Sequence, residues 1–194
     1  MQQISDFSGN LFSHVAAVYR PGERDLAVEF VEALGCVAMD TAGMADSGSP
    51  FISVHPDPDD RDPINNVFYL SEMMPQQLAL EKALKDETDT NPKLREMVAA
   101  FGRTALASPA STPHFALNFP SMEAIEPILE RLATGLKTEI ADRVSVTVLR
   151  PGEPGAMGKD CIIAFVHTDI IVSGIGGFGQ IIELQGRPRK FLRQ

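Results

Sequence analysis

The sequence predicts an α+β protein made of two βαβββ modules, near residues 12–72 and 113–186, joined by a helical connector. Three observations carry that expectation. A stretch recurs at an offset of one hundred residues without a gap: HVAAVYRPGERDLAVEFVEALG from His14 to Gly35, and HFALNFPSMEAIEPILERLATG from His114 to Gly135. It aligns His14 with His114, Ala16 with Ala116, Glu23 with Glu123, Ala33 with Ala133 and Gly35 with Gly135, and duplication of this kind bears on the whole fold. Each copy also repeats the physics: a short apolar strand opened by His, a turn containing Pro, an amphipathic helix and a stopping Gly. Lastly, strand-like runs follow each copy, so each module is too small to cover its own sheet and the two are expected to pair as half-barrels.

Taken in order, residues 12–19 read as an apolar strand that stops at Pro21-Gly22. A helix is expected over 24–34, because Leu26, Phe30, Val31 and Leu34 form one apolar stripe while Glu23, Asp25 and Glu29 face water. Gly35 is placed to end it as a C-cap. Residues 37–40, 51–55 and 67–72 read as three further strands, separated by the loop AGMADSGSP and the cluster PDPDDRDP. From about 75 to 106 the pattern is helical, with a polar break at DETDTNP that makes two helices or one broken helix. Module two repeats the order: a strand over 114–119, a helix over 122–132 that Pro127 is expected to kink, an alternating strand over 144–149, a long strand over 162–172 and a last strand over 180–184. The domain division is then 1–74, 75–111 and 112–194.

Composition narrows the function classes. The 194 residues are enough to bury a core. The formal charge of −9 argues against a nucleic-acid or anionic-membrane partner, since phosphates are met by clustered Lys and Arg. The basic run from Arg187 to Arg193 reads as a short solvated tail. Cys36 and Cys161 lie far apart beside apolar residues, which suits two small buried hydrophobes better than a disulfide or thiolate site. No signal peptide and no membrane-length apolar run stand out, so a cytoplasmic protein is expected.

The residues that open and close the modules carry a resemblance. PHFALNF, with His114, is similar to the GHIAL pattern of the vicinal oxygen chelate superfamily, and QIIEL, with Glu183, resembles that family's most recognisable ending. The superfamily includes glyoxalase I, extradiol dioxygenases, methylmalonyl-CoA epimerase and bleomycin-resistance proteins. The resemblance covers most of residues 10–187 outside the connector. It implies curved sheets around a cavity, a divalent metal held from the first and last strand of each module, and a homodimer. By position it implies His14, Glu72, His114 and Glu183 as metal ligands, with Glu72 or Glu183 doubling as the catalytic base. Two departures stand beside it: the long connector, and HTDIIVSGIGGFGQ where the family has a short turn before its final strand.

Two imidazoles and two carboxylates suit Ni, Zn, Co, Fe or Mn and leave room for substrate oxygens. Such a site would polarise a carbonyl or enediolate while a carboxylate moves a proton, the chemistry of a lyase or isomerase acting on a small oxygenated substrate. With only His14, His114 and Glu183 bound, the set becomes a triad suited to Fe(II) and an extradiol-type dioxygenase. A metal-free protein that binds or sequesters a small molecule is the reading from another class, and a non-catalytic dimeric scaffold a further one.

The remaining candidates have plainer readings. His167 reads as a surface or satisfied histidine with a possible place in the cavity, and His55 as a solvated one. Asp57, Asp59, Asp60 and Asp62 form a polar connection, because Pro58 and the missing glycine exclude an EF-hand. The tip GIGGFG is a flexible corner, since no Lys-Ser/Thr and no helix follow it. Gln180 and Arg187 flank the last strand within reach of a ligand, and Phe115, Phe119, Phe165 and Phe178 are strand core or cavity wall.

Overall fold

Strand β1 (His14–Tyr19) leads into helix α1 (Arg24–Ala33), then β2 (Val37–Asp40), β3 (Ile52–His55) and β4 (Val67–Glu72). Two connector helices follow, α2 (Pro75–Thr90) and α3 (Pro92–Ala107). The second copy runs β5 (His114–Phe119), α4 (Met122–Thr134), the one-turn α5 (Thr138–Ala141), β6 (Val144–Leu149), β7 (Ile162–Thr168), the two-residue β8 (Ile171–Val172) and β9 (Gln180–Gly186). This computed structural model describes residues 14–41, 51–60, 62, 66–156, 158–175, 177 and 179–187. Residues 12 and 13 of the first expected strand, the loop from 42 to 50, Phe178 and the tail from 188 lie outside them.

The fold is α+β, with two mixed sheets and no closed barrel. Sheet A has the order β2-β3-β4-β1-β8 and sheet B the order β5-β9-β7-β6. The duplication is exact in topology: β1, β2, β3 and β4 take the places of β5, β6, β7 and β9. In both copies the first strand pairs parallel with the last, His14 opposite Val67 and His114 opposite Ile181. One expected strand is two. The run over 162–172 breaks after Thr168, where the Ile170 N–H donates to Thr168 Oγ1 at 3.1 Å. The remainder, β8, crosses to sheet A and pairs antiparallel with Val18 and Tyr19 of β1.

Alternation explains the core. Ala17 and Tyr19 of β1, Phe68 and Leu70 of β4, Leu117 of β5, and Ile182 and Leu184 of β9 share one buried cluster with both module helices. Into it α1 sends Ala27, Phe30 and Val31, and α4 sends Ile125, Ile128, Leu129 and Leu132. Each fully buried Leu, Ile or Phe contributes about 1.5–3 kcal/mol over an exposed one. Phe115 belongs to the same interior, its ring 5.7 Å from Phe68. Helix α4 runs on through Pro127, whose missing N–H leaves the Glu123 carbonyl without its helical donor.

Gly35 closes α1 as expected. Its N–H donates to the Glu32 carbonyl and the Cys36 N–H to the Val31 carbonyl, the two bonds of a Schellman turn. Its φ is +88°, and a Cβ there would lie 2.6 Å from Ile128 Cδ1 of α4. Gly135, its repeat partner, stays at φ −104°. Next to Gly35, Cys36 is buried, and burial pushes its thiol up to about 12, as befits an inert core residue.

The connector is two helices. Asn91 separates them and caps α3, its Oδ1 accepting from the Leu94 N–H at 3.2 Å, with Pro92 in the first turn. Helix α2 buries no residue, while α3 buries Ala105 against Ile163, Phe165 and Ile181. These three lie on the outer face of sheet B, away from α4. No helix of the described chain is long and apolar enough to cross a membrane.

The two left-handed glycines make a test. Gly22 has φ +80° with nothing within 4 Å of an added Cβ, whereas Gly35 adds a clash with Ile128. In urea unfolding, Gly22→Ala should cost about 1–2 kcal/mol for the backbone alone, and Gly35→Ala distinctly more. Equal costs would mean that the approach of α4 to Gly35 does not matter.

Candidate functional site

The outer face of sheet B gathers polar side chains. His114 on β5 and Glu183 on β9 face the same way because β5 and β9 pair in parallel with Ala116 opposite Glu183. His114 Nε2 and Glu183 Oε2 are 2.9 Å apart, with side chains 23% and 8% exposed. The other ring nitrogen, Nδ1, is 2.7 Å from the Thr112 carbonyl. A carbonyl only accepts, so Nδ1 carries a hydrogen, and the contact to Glu183 then requires a second proton between Nε2 and Oε2. Glu183 Oε1 accepts from Gln185 Nε2 at 2.5 Å. The pair is thus oriented at both ends, and can give or take one proton.

A pocket of about 280 Å³ borders this pair. Phe101 and Ala105 of α3, Ile175 and Ile181 form its apolar wall, while His167 and Ser173 supply polar edges. Thr112, the carbonyl partner of His114, and Ile181, the cross-strand neighbour of His114, both line it. His167 sits where β7 meets Ile181, so the long strand brings it to the cavity. A Cβ on Gly179 would lie 2.6 Å from His167 Nε2; the glycine at φ +71° lets the chain close over the imidazole. The glycine-rich corner is anchored: Gln180 Oε1 accepts from the Ser173 backbone N–H and hydroxyl, and Gln77 of α2 donates to the Gly174 carbonyl at 3.0 Å.

The other two sequence candidates stand apart from this pair. His14, at the exposed start of β1 in sheet A, packs its ring on Tyr69 with centroids 4.7 Å apart. In the register of β1 and β4, Tyr69 lies opposite Ala16, as Glu183 lies opposite Ala116. The residue equivalent to Glu183 is therefore Tyr69, not Glu72. Glu72 pairs with Tyr19 at the far end of the strand and alternates to the other face, where its carboxylate accepts from the Gly22 N–H at 3.4 Å. Among the described residues no three His, Cys, Asp or Glu side chains converge as a metal site requires. The donor set of His14, Glu72, His114 and Glu183 is not assembled within this chain.

His55 corrects another expectation. It is 1% exposed rather than solvated. Its Nε2 lies 2.9 Å from Ser53 Oγ, and its Nδ1 is buried without a hydrogen-bond partner. Because His55 and Val67 take the places of His167 and Ile181, all four histidines of the chain fall into two equivalent pairs on the outer faces of the two sheets. The aspartate cluster is a plain turn, with Asp57 and Asp60 accepting from the Asp59 and Asp62 N–H groups. Sequence reasoning missed Gln185, Tyr69 and Thr112; alternation from Glu183 in QIIELQ was the available signal for Gln185.

No family model, curated protein or solved structure matches this chain.

Removing His114 would leave the largely buried Glu183 with Gln185 alone. His114→Ala should destabilise by about 1–3 kcal/mol in denaturant unfolding, and His114→Ala with Glu183→Leu should recover part of it. A double variant worse than the sum of the singles would contradict the pairing.

Proposed function

We propose that this chain binds a small, largely apolar molecule between α3 and the outer face of sheet B, as a binding or sequestering protein of the vicinal oxygen chelate type. The observation that carries this reading is the pocket of about 280 Å³ with its apolar wall and single imidazole edge. That volume is near the lower end of the roughly 300–1,000 Å³ of ligand sites, which favours a small ligand. Apolar area on Phe101, Ala105, Ile175 and Ile181 would drive entry, and His167 would orient a polar atom of the ligand. The proton shared by His114 and Glu183 lies in the adjoining wall, so a ligand with an acidic or basic edge is the best fit.

Indole is a suitable probe. Phe101 is partly exposed on α3, so Phe101→Asp alters the wall without opening the core. It should weaken indole binding at least tenfold, about 1.4 kcal/mol, in calorimetric titration, with little change in thermal midpoint. Unchanged affinity in both Phe101→Asp and His167→Ala would sink this assignment.

A metal-dependent lyase or isomerase is the second reading, favoured by the meeting of His114 and Glu183 on neighbouring strands. An imidazole and a carboxylate are two of the donors that Ni, Zn, Co, Fe or Mn takes. Glu72, on the opposite face, and His14, on the other sheet, do not complete the set, which weighs against this reading. Elemental analysis separates the two: near-stoichiometric metal that disappears in His114→Ala supports the metalloenzyme. Metal-free protein that gains none on incubation with Ni, Zn, Mn or anaerobic Fe(II) supports the binding protein.

A further inference from the structure

The polar side chains around the pocket beside α3 are, with one exception, already bonded within the protein. Thr112 Oγ1 donates to the Pro109 carbonyl at 2.7 Å, and the Ser173 hydroxyl and backbone N–H donate to Gln180 Oε1 at 2.5 and 3.0 Å. Gln180 Nε2 donates to the Ile181 carbonyl at 2.7 Å, and the Gly174 carbonyl accepts from Gln77 at 3.0 Å. In the adjoining wall His114 has both ring nitrogens engaged, by the Thr112 carbonyl and Glu183. Glu183 has both oxygens engaged, by His114 and Gln185.

His167 is the exception. It lines the pocket, and among the described residues its side chain forms no hydrogen bond or ion pair. Neither of its ring nitrogens is a buried atom without a partner, as Nδ1 of His55 is. The imidazole is therefore open to whatever enters. At Gly179 a Cβ would lie 2.6 Å from Nε2 and 2.9 Å from Cε1, so any other residue there would cover this ring edge. A ligand meets one side chain that still has polar bonds to make.

The charges of the wall set the sign of that ligand. None of the described residues that line the pocket is Asp, Glu, Lys or Arg. The cross-strand neighbours of His167, Ser145 on β6 and Ile181 on β9, carry no charge either. His167 is thus the lining group that can become charged, and its charge is positive. An ammonium ligand would find no carboxylate to receive it, since Glu183 is 8% exposed and bonded at both oxygens. A neutral ligand gains one ordinary hydrogen bond. A carboxylate gains more, because carboxyl groups are more acidic than imidazoles, and the resulting ion pair bonds roughly twice as strongly as a neutral pair. The formal charge of −9 lies outside this wall and is screened over roughly 10 Å at ordinary ionic strength.

We propose that the pocket selects a small apolar carboxylic acid, whose carboxylate pairs with His167 while its apolar body lies against Phe101, Ala105, Ile175 and Ile181. This rests on the proposed binding function and adds the chemical class of the ligand to it. Near neutral pH the acid arrives as its anion, so His167 takes one proton from the solvent as the pair forms.

The test is calorimetric titration of the whole chain, near neutral pH, with phenylacetate, phenylacetamide and phenethylamine. These share one ring and nearly one size but carry a negative charge, no charge and a positive charge. Phenylacetate should compete with indole and bind at least tenfold more tightly than the other two, about 1.4 kcal/mol. Repeating its titration in buffers of different ionisation enthalpy should show net proton uptake, which indole binding lacks. His167→Gln keeps a hydrogen-bonding side chain without the charge, and should bring the three ligands to similar affinity and abolish the uptake. Amide or amine bound as tightly as the acid overturns the proposal. So does phenylacetate that does not compete with indole, or that binds wild-type protein without proton uptake, and so does acid preference that persists in folded His167→Gln. Indole separates the two failures: indole binding without acid preference removes only the ligand class, whereas no binding by indole or the three probes removes the pocket assignment as well.

Discussion

Asp169 is the point on which the two modules depend. The chain leaves sheet B at Thr168 and enters sheet A at Ile171, and Asp169 stands in that corner. Arg143 Nε donates to its Oδ1 at 2.7 Å, Arg20 reaches its Oδ2 at 3.1 Å, and a second Arg143 nitrogen donates to its backbone carbonyl at 3.2 Å. Arg143 also reaches Glu23 at 2.9 Å, just before α1. Burial pulls Arg143 down, but its bonds to Asp169 and Glu23 outweigh that and hold it above its ordinary value. Arg143 and Asp169 come from module two, Arg20 and Glu23 from module one. The cluster thus clamps the crossing strand at the place where the modules meet.

Behind that clamp the modules share one interior, because each helix covers its own sheet and touches the other helix. Arg131 of α4 donates to the Glu32 carbonyl at the end of α1 at 2.9 Å, and Gly35 makes room for Ile128. With no Cβ, Gly35 leaves that volume to the tip of the Ile128 side chain. The outer faces of the two sheets carry the histidines, and in sheet A Ser53, His55 and Val67 of that face are buried. In sheet A that face carries His14, Tyr69, Ser53 and His55; in sheet B the equivalent places hold His114, Glu183, Phe165 and His167. Replacing Tyr by Glu and Ser by Phe sets a carboxylate against the imidazole of His114 and the Phe165 ring beside it. Helix α3 seats on sheet B, and the pocket forms between them.

Identity between the repeats did not guarantee identity of role. Glu23 binds Arg143, whereas Glu123 lies exposed in the first turn of α4, held below the usual carboxylate range by Ser121. Gly35 takes a left-handed conformation and Gly135 does not. The repeated spacing gives both modules the same elements, while each contact depends on what the other module presents.

Local pattern was enough for the elements. The hundred-residue offset, the strand alternations, the helix stripes and the polar break at Asn91 are short-range properties, so β1, α1, β4, β5 and β6 lie where the sequence placed them, and His114 with Glu183 could be named as candidates. Register and crossing were not legible, because they are settled by which side chains pack across strands far apart in the chain. A shift of three residues between Tyr69 and Glu72 turns a carboxylate to the opposite face. The burial of His55, the transfer of β8 to sheet A and the seating of Ala105 on Phe165 likewise depend on partners remote in sequence. The sequence alone determined two copies of one module with a histidine opening each; only tertiary packing decided that the second copy holds the His–Glu pair, because strand register sets Glu183 beside His114, and the pocket, because α3 seats on that sheet.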